Sequence, residues 1–194
     1  MTYNIRTSRP IVLFVSLWAA VTSAVSGPWQ VGQAEVSVKC SMTVGGTFDA
    51  RTSALTGTLT TSAGRPSAFD GSLAVDLRTI DTGIDLRNDH LREKYLEVEK
   101  GTGYEQAVLS QVTVQGFNAD TPAGKGSFTG SLMLHGVKKT VTGPVEIRQA
   151  GTGWHVRASF PVNLPDYNID KPRYLGVGVK DTVQVSVTFT ATQS

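Results

Sequence analysis

Glu35-Val36-Ser37-Val38-Lys39-Cys40-Ser41-Met42-Thr43-Val44 decides how the chain folds. Every second residue is apolar and every residue between is polar, and side chains along a β-strand point alternately to opposite faces. One face of this ribbon therefore sheds water while the other faces it. The same code returns in Phe69, Leu73, Val75 and Leu77 against Asp70, Ser72, Asp76 and Arg78. It returns again in Phe128, Leu132 and Leu134, in Val141, Val145 and Ile147, in Trp154, Val156, Ala158, Phe160 and Val162, and in Val183, Val185, Val187 and Phe189. Weaker strands are expected near 46–60 and 107–117, which makes about eight.

Turn residues separate these segments at hairpin spacing. Leu134-His135-Gly136-Val137 predicts a two- to three-residue hairpin with Gly136 at positive φ, and Ala150-Gly151-Thr152-Gly153 predicts another reversal. Thr121-Pro122-Ala123-Gly124 and Ser62-Ala63-Gly64-Arg65-Pro66 serve likewise. Antiparallel strands with one apolar face each must hide that face, and closing the sheet into a barrel does so while removing its edges. The expected fold is all-β: an up-and-down antiparallel barrel of about eight strands. One stretch breaks the code. From Asp85 to about Glu99, Ile84, Leu91, Tyr95 and Val98 fall at helical intervals, with Asp85 as cap, Gly101 as stop and a solvated face of Arg87, Asp89, Arg92, Glu93 and Lys94. A single helix over the barrel mouth follows.

Composition narrows the function. In 194 residues, 18% charged residues and 20 glycines suit strands and turns. Residues 1–26 read as a secretory signal peptide: Arg6 and Arg9, an apolar run from Ile11 to Val21, then Thr22, Ser23, Ala24 and Ser26. That run is well short of the ~20 residues of a membrane span. A mature domain of 27–194, secreted or periplasmic and without a transmembrane span, is expected. Without Arg6 and Arg9 the basic residues equal the 16 acidic ones, and a neutral domain has no field for nucleic acid.

Chemistry-bearing clusters are sparse. One cysteine, Cys40, excludes a disulfide framework, and His90, His135 and His155 show no metal-ligand spacing. Alternation and the turn place His155 and His135 away from the apolar interior. Asp89 and His90, with Arg87, would be the reactive rim of a lipid-modifying enzyme; more simply they fasten the helix to the barrel. No nucleophile elbow or phosphate-binding loop occurs, so no catalysis and no cofactor are expected. Cys40 reads as a small buried hydrophobe rather than a redox thiol.

The inward aromatics either line a cavity or fill a core. Eight-stranded barrels do both, and lipocalins hold a ligand. Small inward residues, with Gly71, Gly130 and Gly143 expected to leave room, favour a tunnel for a slender aliphatic chain, held by about 0.8 kcal/mol per buried CH₂. Its expected lining is Val38, Cys40, Met42, Phe69, Leu73, Val75, Leu132, Leu134, Val156, Phe160, Val187 and Phe189. A barrel filled by its own side chains, acting through its outer surface in envelope stress or adhesion, is the alternative.

Three segments resemble the signatures of the YceI-like, polyisoprenoid-binding family. They are Ser72–Gly83 followed by Leu86-Arg87-Asn88-Asp89-His90-Leu91 and Tyr95-Leu96; Gly130–Lys139, with Leu132-Met133-Leu134-His135-Gly136-Val137; and Phe160–Ile169. The family usually has Asp directly after the Arg, where this chain has Asn88 and then Asp89. The resemblance spans Trp29 to Phe189. It implies a lipocalin-like barrel, secreted or periplasmic, that holds a polyisoprenoid, an isoprenoid quinone or another long-chain amphiphile, with no established reaction. Such barrels can pair as homodimers.

Overall fold

The computed structural model describes residues 27–62, 64–117, 121–171, 173–174 and 177–193; the expected signal segment lies outside them. The strands are β1 (Trp29–Ser41), β2 (Thr47–Thr52), β3 (Leu55–Ser62), β4 (Arg65–Asp76), β5 (Gln106–Gln115), β6 (Ala123–Leu134), β7 (Val137–Ala150), β8 (Gly153–Asn163), the short β9 (Arg173–Tyr174) and β10 (Val177–Gly178), and β11 (Thr182–Gln193). Each long strand pairs antiparallel with its neighbour, and β1 pairs with β11, so the sheet closes on itself. Segments β2 and β3 together take one place in the barrel. Ser41 opposes Thr47, Val36 opposes Thr52 and Trp29 opposes Leu59, a register that runs on unbroken across the interruption at residues 53–54. The eight-stranded antiparallel barrel read from the alternation is the fold.

Alternation sets the wall. Phe128, Leu132, Leu134, Val141, Val145, Ile147, Phe160, Val162, Val183 and Phe189 are all buried, while Thr129, Arg148, Arg157 and Gln184 between them are exposed. Leu134 opposes Val137 across a two-residue turn in which His135 and Gly136 both have positive φ, 51° and 73°. A turn with two such residues matches the twist of the flanking strands.

Several expectations are corrected. The first strand ends at Ser41, and Val44 is not inward but exposed on the hairpin tip. Gly45 and Gly46 turn the chain there at positive φ, and Met42 N–H donates to Gly46 O. Gly71, Gly130 and Gly143 do not open the tunnel. A Cβ on Gly143 would sit 1.9 Å from Ser159 O, one on Gly71 2.1 Å from Thr58 O, and one on Gly130 2.8 Å from Leu109 Cδ1. At Gly71 and Gly143 the missing side chain lets the neighbouring backbone approach closely, and at Gly130 it makes room for the Leu109 side chain.

The helix is shorter than its periodicity suggests. An α-helical turn, α1 (Asp85–Asp89), runs into a π-helical stretch, His90–Tyr95. The widened turn ends with Leu96 N–H donating to Leu91 O. Ile84, not Asp85, holds the cap position, and no side chain caps it. Glu97 then takes a left-handed conformation, φ 51°, and Val98 belongs to a separate 3₁₀ turn, Val98–Lys100, closed by Gly101. The stretch between β4 and β5, the hairpin β1–β2, the turn at His135 and the loop from Leu164 to Asp181 all lie at the same end of the barrel.

Candidate functional site

The inward side chains of the barrel stop short of one another and leave one cavity of about 1330 Å³. Small-molecule pockets are commonly about 300–1,000 Å³. The cavity runs from Trp29, Phe117 and Trp154, at the end with the turns at Gly64 and Gly151, to Ile84, Leu86, His90 and Leu91 at the helical end. Its wall is almost wholly apolar. Phe117 meets Trp154 edge-on at 5.7 Å, and Phe128 meets Phe160 at 5.5 Å, so the rings brace the wall instead of meeting across the axis.

All twelve residues expected to line the tunnel (Val38, Cys40, Met42, Phe69, Leu73, Val75, Leu132, Leu134, Val156, Phe160, Val187 and Phe189) stand on this cavity. Further residues join them on the wall. Phe48 and Ala50 come from β2, whose alternation Phe48, Ala50 is readable in retrospect but covers only six residues. Val112 and Val114 come from β5, where the period breaks. Ala107 and Leu109 face inward, Gln111 turns at φ 53°, and Val112 and Val114 then face inward on the other parity. The pairing shifts by one at the same point on both flanks, between Phe69 and Ser72 and between Ser110 and Thr113. A bulge inserts one residue and re-aims every side chain beyond it.

Cys40 is buried on the wall, with Val38 O as the acceptor near its Sγ. Burial, reinforced by the Asp49 charge and opposed by Arg87, pushes its thiol up to about 11. A protonated thiol is a poor nucleophile and metal ligand. Among the described residues no three His, Cys, Asp or Glu side chains cluster for a metal ion.

The mouth is fastened by polar groups. Asn88 is buried; its Oδ1 accepts from Thr82 N–H at 2.8 Å and from Thr82 Oγ1 at 2.6 Å, and its Nδ2 donates to Asp81 Oδ1 at 2.7 Å. The Gly83 N–H and the Asn88 amide hold the Asp81 carboxyl below its usual range. An aspartate at 88 would have no N–H for Asp81. Arg87 is not part of a solvated face. Its Nε donates to Thr82 Oγ1, its Nη2 to Thr82 O, and its guanidinium lies 4.2 Å from the Phe48 ring centroid. Arg92 likewise turns inward, with Nη2 donating to Ile80 O at 2.7 Å. The Asp89 and His90 side chains are exposed and make no hydrogen bond or ion pair among the described residues. Fastening falls to Arg87 and Asn88, not to Asp89 and His90.

His135 is the larger correction. It sits beside its turn as expected, yet is only 7% exposed. Nδ1 lies 3.0 Å from Tyr167 O and Nε2 lies 2.9 Å from Glu97 Oε2. Both partners are acceptors, so a ring carrying two protons makes both bonds. The Tyr104 ring packs edge-on at 4.8 Å. Lys100 and, more weakly, His135 hold the Glu97 carboxyl below its usual range against the opposing pull of burial. A hydrogen-bonded chain from Glu97 through His135 to Tyr167 thus ties three segments together beside the cavity.

Comparison with known proteins agrees with this geometry. The chain resembles in fold a polyisoprenoid-binding domain from Saccharophagus degradans implicated in plant cell wall breakdown, at 19% identity and a TM-score of 0.65 over 86% of this chain and 98% of that one. It resembles Burkholderia cenocepacia BcnA at 20% identity and a TM-score of 0.66, covering 82% and 96%. The Campylobacter jejuni YceI protein aligns at 14% identity with a TM-score of 0.52, covering 75% and 84%. No curated protein matches. The sequence profile of the YceI-like domain matches residues 29–191, the whole barrel from Trp29 on β1 to Ala191 on β11, and so the chain belongs to the YceI-like domain family.

Proposed function

We propose that the protein binds and carries a long-chain amphiphile (a polyisoprenoid, an isoprenoid quinone or a fatty-acyl lipid) in the periplasm or outside the cell. The observation that carries this reading is the continuous apolar cavity of about 1330 Å³ along the barrel. An apolar chain in it is held by transfer from water, about 8 kcal/mol for ten methylenes before ordering is subtracted. The wall then needs no charged clamp along its length, and the charged side chains that reach it, Arg87, Lys94 and Asp170, stand at the helical end. The polyisoprenoid-binding character of the Saccharophagus degradans domain supports the class of ligand, and residues 1–26 support export.

The test is extraction of the protein purified from its native host. An aliphatic lipid in the organic extract, seen by mass spectrometry, is the expected result. Protein that emerges free of lipid and fails to bind a farnesyl or dansyl-undecanoate probe overturns the reading. Leu132→Trp, which places a large ring across the cavity, should abolish probe binding while the circular dichroism spectrum stays unchanged. Amino-terminal sequencing of the exported form should begin near Gly27.

A further inference from the structure

The described surface exposes four large hydrophobic side chains: Leu86 at 67%, Val44 at 66%, Ile84 at 53% and Met133 at 37%. All four lie at the helical end. Ile84 and Leu86 flank the start of α1 and also line the cavity, so one apolar surface passes from the interior to the outside. Val44 tops the β1–β2 hairpin, whose base is held at the mouth by Thr43 N–H donating to Gly178 O and by the Met42–Val179 bridge. Met133 is one residue from the end of β6, across the barrel from that hairpin. The opposite end, with its turns at Gly64 and Gly151, exposes no large hydrophobic residue among the described ones.

We propose that this end seats on the surface of a lipid bilayer, Leu86, Ile84 and Val44 entering its interfacial layer, so that cargo passes between membrane and cavity without crossing water. The inference rests on the carrier reading, and the mouth itself argues for the occupant. A chain leaving the cavity into water would lose the burial that holds it. A mouth whose exposed apolar residues, Ile84 and Leu86, continue the cavity wall offers that chain an apolar side on its way out, beside Arg87, Lys94 and Asp170. Charge does not drive the contact. Over the segments 77–105, 135–139 and 164–181 that form this end, ten acidic side chains face ten basic ones, so docking needs neither anionic lipid nor low salt. Few apolar side chains are involved, so the contact is reversible.

The experiment is flotation of the purified exported protein with vesicles of pure phosphatidylcholine, and then with one third phosphatidylglycerol. Expected are binding to the neutral vesicles, no gain from the anionic lipid, and a drop of about tenfold for Leu86→Ser, the scale set by withdrawing most of one leucine from an apolar layer. Val44→Asp, which alters a residue outside the cavity, should lower flotation while leaving dansyl-undecanoate affinity as it was. Absence of flotation by the parent protein overturns the proposal. So does flotation equal in parent, Leu86→Ser and Val44→Asp, binding that requires anionic lipid, or a dimer in sedimentation that Val44→Asp abolishes. Probe binding without flotation sinks the docking alone; flotation without probe binding sinks the cargo reading alone.

Discussion

Two acid–histidine pairs stand at the mouth and behave oppositely. Asp89 and His90 are neighbours in sequence, and the side chains of both are exposed without a partner among the described residues. Glu97 and His135 are 38 residues apart and meet at 2.9 Å in a place where the ring is buried. Adjacency along a helix sends successive side chains 100° apart, so neighbours do not face each other. Closure of the barrel brings the second pair together, because the β6–β7 turn and the segment after the mouth helix return to the same rim. What the first pair offers to solvent, the second uses to hold the rim in place.

This contrast can be tested from its strong side to its weak one. His135→Ala leaves Tyr167 O and the Glu97 carboxylate without their donor and should lose about 3 kcal/mol in urea unfolding. His135→Asn tolerates the positive φ and separates backbone strain from side-chain loss; a fall as large as for alanine assigns the effect to the ring. Asn88→Asp sets a carboxylate against Asp81 and should lose about 2 kcal/mol at neutral pH, recovered in part when acid supplies the missing proton. Equal stability of the variant and parent would break the account of the rim.

Glu97→Gln should have a smaller effect, visible chiefly in its pH dependence. A carboxyl whose folded-state pKa is lowered stabilises the fold above its unfolded value, and that contribution disappears as pH falls through the lowered one. The parent should therefore lose stability more steeply than Glu97→Gln below the ordinary value of 4.5, measured by acid titration of the melting temperature. Parallel curves would remove Glu97 from the clasp. His90→Ala should change unfolding by less than about 0.5 kcal/mol, and a larger loss would end the contrast between the pairs.

The wall of the barrel was readable because each strand is buried on one side only, and a half-buried strand writes its geometry as alternation. That is why twelve cavity residues could be named from the chain, and why 46–60 could be taken as one strand although residues 53–54 interrupt it. Reading failed where a single backbone angle resets the period. Gln111 at φ 53° hides Val112 and Val114 from any fixed parity, and the Gly45–Gly46 turn takes Val44 out of a run it otherwise fits. It failed also where an intermediate spacing was read as one helix. Ile84, Leu91, Tyr95 and Val98 share a helical interval, yet a π-helical stretch and a left-handed Glu97 divide them. His135 escaped for a different reason: strand parity and a turn both say surface, and only the return of Glu97 and Tyr167 over the turn buries it.

By itself the sequence determined the barrel, its strand number and the composition of its inner face, since these follow from local alternation and from turn residues with special backbone angles. Tertiary structure alone decided that the inner side chains leave a cavity, that Gly71 and Gly143 serve strand contact instead of open space, and which polar groups hold the mouth. Distances across a closed sheet depend on where every strand lies at once, and no window of neighbouring residues carries that information.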